Sequence, residues 1–196
     1  MYKNYTYTPV HLLITSERIL LSSIESTKPL DPDATYELTT DNVKKLLAIY
    51  MRLKCNIPVI VMGETGCGKT RMVQYLCALM LPPKARALNL SNLVMVKIHG
   101  GHREEQIIDI LQQAIKKADV YSKWILDNQP KDTQNQEKSK SVPFTVLFLD
   151  ETNSSEAIHV IKHLLCNQRI KSVQLPNNLK LVCACNPYRF AVYFYI

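Results

Sequence analysis

Eight consecutive residues, Gly63-Glu64-Thr65-Gly66-Cys67-Gly68-Lys69-Thr70, follow the spacing G-x-x-x-x-G-K-[ST]. Residue types in that order suit one task, the holding of a phosphate chain. Glycines let the backbone curl until successive N–H groups point into one concavity, where phosphate oxygens accept them. A helix starting at the end of the loop adds its partial positive charge at the same place. Lys69 supplies a mobile cation for the β- and γ-phosphates, and Thr70 a hydroxyl for Mg²⁺. The chain has only five glycines, three in this loop and two at Gly100-Gly101. Glycine is thus concentrated where a phosphate cradle needs it, and all eight residues are candidate ligands for ATP.

Binding alone is not hydrolysis, which also needs a held metal and an aimed water. Val146-Leu147-Phe148-Leu149-Asp150-Glu151 sets two carboxylates directly after four apolar residues. Asp150 at the end of such a strand is the candidate Mg²⁺ carboxylate, acting through the metal's water shell. Glu151 is the candidate general base for the attacking water. Asn186 follows the apolar run Leu181-Val182-Cys183-Ala184-Cys185 and precedes Pro187. Open α/β sheets bind ligands at the carboxyl ends of their strands, so Asn186 is a candidate to orient water or touch the γ-phosphate. Composition alone reads the same pair as an Asn-Pro turn. Asn153, with Glu156 three residues on, is explained by a helix capping box.

These residues need strands that end together. Residues 57–62 form a short apolar, β-branched run and read as a buried strand leading into the loop. A helix over 69–81 follows, stopped by Pro82-Pro83. A second strand spans 92–99. A long helix spans 103–127, with Ile107, Leu111, Ala114, Ile115, Ala118, Tyr121 and Ile125 on one face. Residues 144–149 make a third buried strand, 154–166 a helix and 179–185 a fourth strand. Ahead of them all, helical spacing runs from Thr40, a cap candidate, to Cys55-Asn56. Residues 129–143 are polar and read as an exposed loop. Alternating strands and helices predict an α/β fold, a parallel sheet flanked by helices on both faces.

Composition narrows the function. The hydrophobic share of 46% supports a real core, and the apolar runs are far shorter than the ~20 residues that span a bilayer. The net charge of +7 divides as 7 basic against 6 acidic groups over 1–56, 9 against 6 over 57–128, and 8 against 5 over 129–196. With the excess spread this thinly, a nucleic-acid partner is not expected. Six cysteines lack disulfide-framework spacing, which favours reduced thiols in the cytoplasm or nucleus. His159, His163 and Cys166 share a helix face but have no second ligand cluster, and Leu164 and Leu165 assign that helix to packing. Cys67 reads as a small residue that fits the loop, and Cys183 and Cys185 as buried small hydrophobes.

The loop, the Asp-Glu pair and an asparagine after the next strand, in this order, resemble the AAA+ superfamily of P-loop NTPases. The stretches IPVIVMGETGCGKT, VKIHGGH, LFLDETNSSEAIHVIK and ACNPYR, preceded by ELTTDNVKKLLAIYMRLKC, are similar to the dynein-like AAA+ modules of mysterin, the giant RING-type E3 ubiquitin ligase. Loops similar to GETGCGKT occur in other tandem AAA+ giants such as midasin, and the combination with HGG and CNPYR narrows the match. The resemblance covers about residues 36–189. It implies an AAA+ large subdomain with strand order 5-1-4-3-2, residues 63–70 as Walker A, Asp150 and Glu151 as Walker B, and Asn186 as sensor 1. It also implies neighbouring AAA+ modules as partners, and contact with the ubiquitin system only through a full-length parent, since no RING or zinc-finger spacing occurs here. On this reading residues 1–36 are a poorly defined leader and 37–189 the nucleotide-binding subdomain. Residues 190–196 are an apolar tail, standing where the family continues into a fifth strand, an arginine finger and a helical lid. That departure reads as a truncated or mispredicted product, incomplete at the C-terminus. A structural module that binds ATP without hydrolysing it, and a midasin-like remodelling ATPase, are the alternatives.

Overall fold

The computed structural model describes residues 32–33, 35–36, 38–128, 143–152 and 158–187. Most of the leader, nearly all of the polar loop, the Asn153–Glu156 capping box and the apolar tail lie outside them. In chain order the elements are α1 (Thr40–Lys54), β1 (Val59–Met62), α2 (Lys69–Met80), α3 (Pro83–Ala87) and β2 (Leu93–Lys97). They continue with α4 (Glu104–Asp127), β3 (Thr145–Asp150), α5 (Ile158–Asn167), β4 (Arg169–Ile170), β5 (Val173–Gln174) and β6 (Leu179–Cys185). The short helix α3 and the two-residue hairpin strands β4 and β5 carry no legible period and were not anticipated.

β1, β6, β3 and β2 form one sheet in that order, and every pairing is parallel. Counted along the chain this is 1-4-3-2, the expected order as far as the described residues extend. The alternation of side chains along each strand divides the core in two. Val146 and Phe148 of β3, with Val182 and Ala184 of β6, pack against Leu46, Ile49 and Leu53 of α1 and Val73 and Leu76 of α2. Leu147, Leu149, Leu181 and Cys183 pack the opposite way, against Ile107, Leu111 and Ala114 of α4 and Val160, Ile161 and Leu164 of α5. Burial of each such side chain contributes about 1.5–3 kcal/mol, which makes the two central strands the stable frame.

Two expectations need correction. The cap of α1 is Thr39, whose Oγ1 accepts the Asn42 N–H at 3.2 Å; Thr40 is already helical. β1 is not a fully buried strand. Among the described residues it pairs with β6 alone, and Ile60 and Met62 are 55% and 66% exposed. Their register partners are Cys183 and Cys185, on the face that α4 and α5 cover only over the central strands. The same geometry leaves Cys185 half-buried, in contrast to Cys183.

The last described residues of the leader also have a structure of their own. Asp33 Oδ2 accepts from Arg71 Nη2 of α2 at 2.9 Å, and the Arg71 guanidinium also bonds Thr35 Oγ1. The Tyr36 ring meets the Tyr75 ring at 4.7 Å. These contacts strap the segment before α1 to the helix that follows the loop.

Candidate nucleotide site

Because the sheet is parallel, its carboxyl ends share one edge. Met62 is level with Cys185, and Lys97 with Asp150. The residues following β1, β6 and β3, and the last residue of β2, therefore meet along a single line. The loop leaves β1 with the Gly63 N–H donating to Cys185 O at 3.2 Å. Gly66 and Gly68 then turn the chain at φ +83° and +84°, the left-handed region that costs other residues ~1–2 kcal/mol. A β-carbon on Gly63 would stand 2.7 Å from Cys67 Sγ, so a close approach sets that glycine. Gly68 precedes the first turn of α2 and no side chain caps it. The first N–H groups of a helix have no intrahelical acceptor, and here they belong to the loop.

Lys69 Nζ lies at the centre of the cluster. It donates to Gly63 O at 2.7 Å, Glu64 O at 2.9 Å and Asn186 Oδ1 at 3.0 Å. Asn186 is thus joined to the loop lysine across 117 positions of sequence, which an Asn-Pro turn alone would not require. Thr70 Oγ1 donates to Asp150 Oδ2 at 2.6 Å. The other Asp150 oxygen, Oδ1, accepts the Glu151 N–H at 3.0 Å, so both carboxylate oxygens are oriented. A hydroxyl and a carboxylate side by side are hard oxygen donors, and they fit Mg²⁺, which takes one or two protein oxygens and keeps several waters.

Glu151 has φ +56°, an uncommon conformation for a non-glycine residue that turns its side chain off the strand path. Thr152, which the sequence reading passed over, donates from Oγ1 to Ala184 O at 3.1 Å in a buried bond. That bond ties the turn after β3 to β6. Lys97 was also missed. Its Nζ stands 3.2 Å from Glu151 Oε1, a contact visible only once β2 is known to flank β3. Next along this edge, His99 and His102 stack at 3.9 Å, and the His99 N–H donates to His102 Nδ1 at 3.1 Å.

The thiols near the edge differ from one another. Burial pushes the Cys185 thiol up, with the Lys69 cation acting the other way, while Cys67 is exposed on the loop and does not fill a buried gap. His159, His163 and Cys166 lie exposed on α5, and no cluster of metal-ligating side chains occurs among the described residues.

The RNF213 AAA domain model matches residues 36–189. The chain belongs to the RNF213 AAA domain family. Mysterin is another name of that ligase, so the resemblance read from the sequence motifs holds. Zebrafish (Danio rerio) E3 ubiquitin-protein ligase rnf213-beta is 47% identical over 161 residues, 81% of this chain and 3% of the relative. The mouse (Mus musculus) and human (Homo sapiens) E3 ubiquitin-protein ligases RNF213 are each 40% identical, over 82% and 81% of this chain and 3% of their own lengths. The chain thus spans a small part of the curated RNF213 relatives it matches. A parallel sheet flanked by helices is the AAA+ P-loop fold, and nucleotide binding is the general property of AAA domains. No helix among the described residues is long and apolar enough to cross a membrane.

Proposed function

We propose that this RNF213-type AAA module binds ATP with Mg²⁺ and carries the side chains for its hydrolysis. The observation that supports it best is one connected cluster, Thr70 to Asp150 at 2.6 Å and Lys69 to Asn186 at 3.0 Å. The backbone of residues 63–68 and the start of α2 cradle the phosphates. Lys69 neutralises them, and Asn186 holds the lysine in place. Thr70 and Asp150 hold Mg²⁺, which when bound supplies electrostatic stabilisation of the transferring phosphoryl group. Glu151 accepts the proton of the attacking water. The partners that suit the reading are neighbouring AAA modules of a parent ligase, in the cytoplasm, with ubiquitin transfer carried by other parts of that parent.

Fluorescent-ATP binding and phosphate release test the reading. Lys69→Ala weakens binding about ten- to a hundred-fold, the loss of charge-assisted hydrogen bonds worth ~1.5–3 kcal/mol. Glu151→Gln leaves binding in place and lowers turnover by about 10²-fold or more. Affinity unaffected by Lys69→Ala would sink the phosphate-loop assignment. Tight binding with no turnover, unaltered by Glu151→Gln, would instead leave a structural ATP-binding module.

A further inference from the structure

Lys180 is the only charged residue buried among the described residues, at 8% exposure. It is the second residue of β6, at the end of the sheet opposite the nucleotide edge. An ammonium has three N–H donors. Among the described residues one of them is taken, by Asn56 Oδ1 at 2.7 Å, and the Phe144 ring lies 5.8 Å away. The amide groups beside it are engaged with each other, Asn56 Nδ2 on Gln168 Oε1 and Gln168 Nε2 on the Asn56 carbonyl. None of the ion pairs among the described residues includes Lys180 or Lys54. Burial, and then the neighbouring Lys54 cation, lower the Lys180 pKa, as befits an ammonium without a counter-ion. Neutral groups soften the cost of that buried charge, but buried charges are ordinarily paired, and here no anion among the described residues matches it.

The surroundings select the anion that would. Lys180 lines a cleft with Ile57, Pro58, Leu175 and Leu181, and Ile57 is 48% exposed. Two unused N–H groups beside apolar walls suit one small acceptor with a single charge. A phosphate monoester, with a charge of about −2 and three acceptor oxygens, would be short of donors and pressed against hydrocarbon. A carboxylate with methylenes behind it fits both parts. In the curated relatives the region this chain matches is 3% of the length, so protein segments are the abundant source of such a group.

We propose that this cleft is a docking site for an acidic side chain, an aspartate or glutamate flanked by apolar residues, on a protein segment outside this chain. The site stands apart from the nucleotide edge, and its test does not depend on ATP binding. The probes are the peptide acetyl-Leu-Glu-Leu-amide and its glutamine counterpart, titrated into the full chain and read from the side-chain amide resonances of Asn56 and Gln168. The glutamate peptide is expected to bind about ten-fold or more tighter, the margin of one charge-assisted hydrogen bond. Lys180→Met is expected to abolish that margin. Ile57→Asp changes an exposed side chain and leaves the Asn56–Gln168 contacts in place, so it serves if Lys180→Met does not fold. It sets a like charge at the mouth and is expected to weaken the glutamate peptide about five-fold or more. Equal binding of the two peptides, or a margin that survives in either folded variant, would overturn the site. Acetate that moves the same resonances at the same concentration as the glutamate peptide would overturn the protein segment in favour of a small anion.

Discussion

Gly63, Gly66 and Gly68 are the same residue under different constraints, and substitution separates them. Gly66 and Gly68 sit at positive φ with no atom near an added β-carbon, so their constraint is the backbone itself. Gly63 has no such φ, and its constraint is the Cys67 sulfur, the end of a side chain that rotates. Gly68→Ala is expected to lower unfolding free energy by about 1–2 kcal/mol, and Gly63→Ala by clearly less. Urea denaturation of the two variants checks the order. Equal losses would mean that the loop is not held by these dihedrals.

Elements are joined at the other end of the sheet by a polar knot remote from the nucleotide edge. α1 ends in a Schellman arrangement, with Ile57 N–H on Arg52 O at 2.9 Å and Asn56 N–H on Leu53 O at 3.1 Å. Asparagine takes the left-handed position at φ 59°, and Gln168 after α5 does the same at 52°. The Asn56 side chain donates from Nδ2 to Gln168 Oε1 at 3.0 Å, and Gln168 Nε2 donates to the Asn56 backbone carbonyl at 2.8 Å. Lys180 of β6, 8% exposed, donates to Asn56 Oδ1 at 2.7 Å, with the Phe144 ring 5.8 Å away. Burial, then the nearby Lys54 charge, lowers the Lys180 pKa; the amide, the ring and the carbonyl end of α1 offset that cost. Asn56→Ala removes the amide and places alanine in the left-handed region, with an expected loss of about 2–3 kcal/mol. Asn56→Gly removes the amide but keeps the turn and is expected to lose roughly 1 kcal/mol less. Chemical unfolding that ranks glycine below alanine would show that the turn is not what Asn56 supplies.

Across the whole molecule, the core that flanks the sheet should limit tolerance of alkali. Burial pushes the Cys183 thiol up to about 12 and the Tyr121 phenol up to about 12, and raises Cys77 as well. Each is an acid whose folded pKa exceeds its unfolded value, so the folded chain keeps protons that the unfolded chain releases. Their contribution is full below the ordinary values of 9.0 for the thiols and 10.0 for the phenol, and is lost as pH climbs toward 12. Lys54 and Lys180, lowered by burial, act in the opposite sense, but they are fewer. Stability should therefore fall between about pH 9 and 12, and Cys183→Ala should flatten the fall. Urea midpoints at pH 8 and 10.5 test this, and a midpoint that rises with pH would reverse the ranking of the two sets.

Much of this molecule is legible without coordinates, for a physical reason. The phosphate loop is contiguous, and its chemistry lies in adjacent residue types, so residues 63–70 stand out in one dimension. Asp150 and Glu151 end an apolar run, and the alternating elements limit the fold to a parallel sheet. Other features depend on which strands are neighbours. That β2 flanks β3 decides that Lys97 reaches Glu151, and that β6 flanks β1 decides that Asn186 reaches Lys69. The exposure of Ile60 and Met62 likewise follows from β1 having β6 as its one partner among the described residues, since an apolar run carries the same pattern at the centre of a sheet and at its side. Asp33 and Arg71 give no sequence signal because ordinary surface charges become a strap only when a helix and a turn are brought together. Local chemistry was written in the order of the residues, whereas proximity between strands far apart in the chain came from tertiary packing.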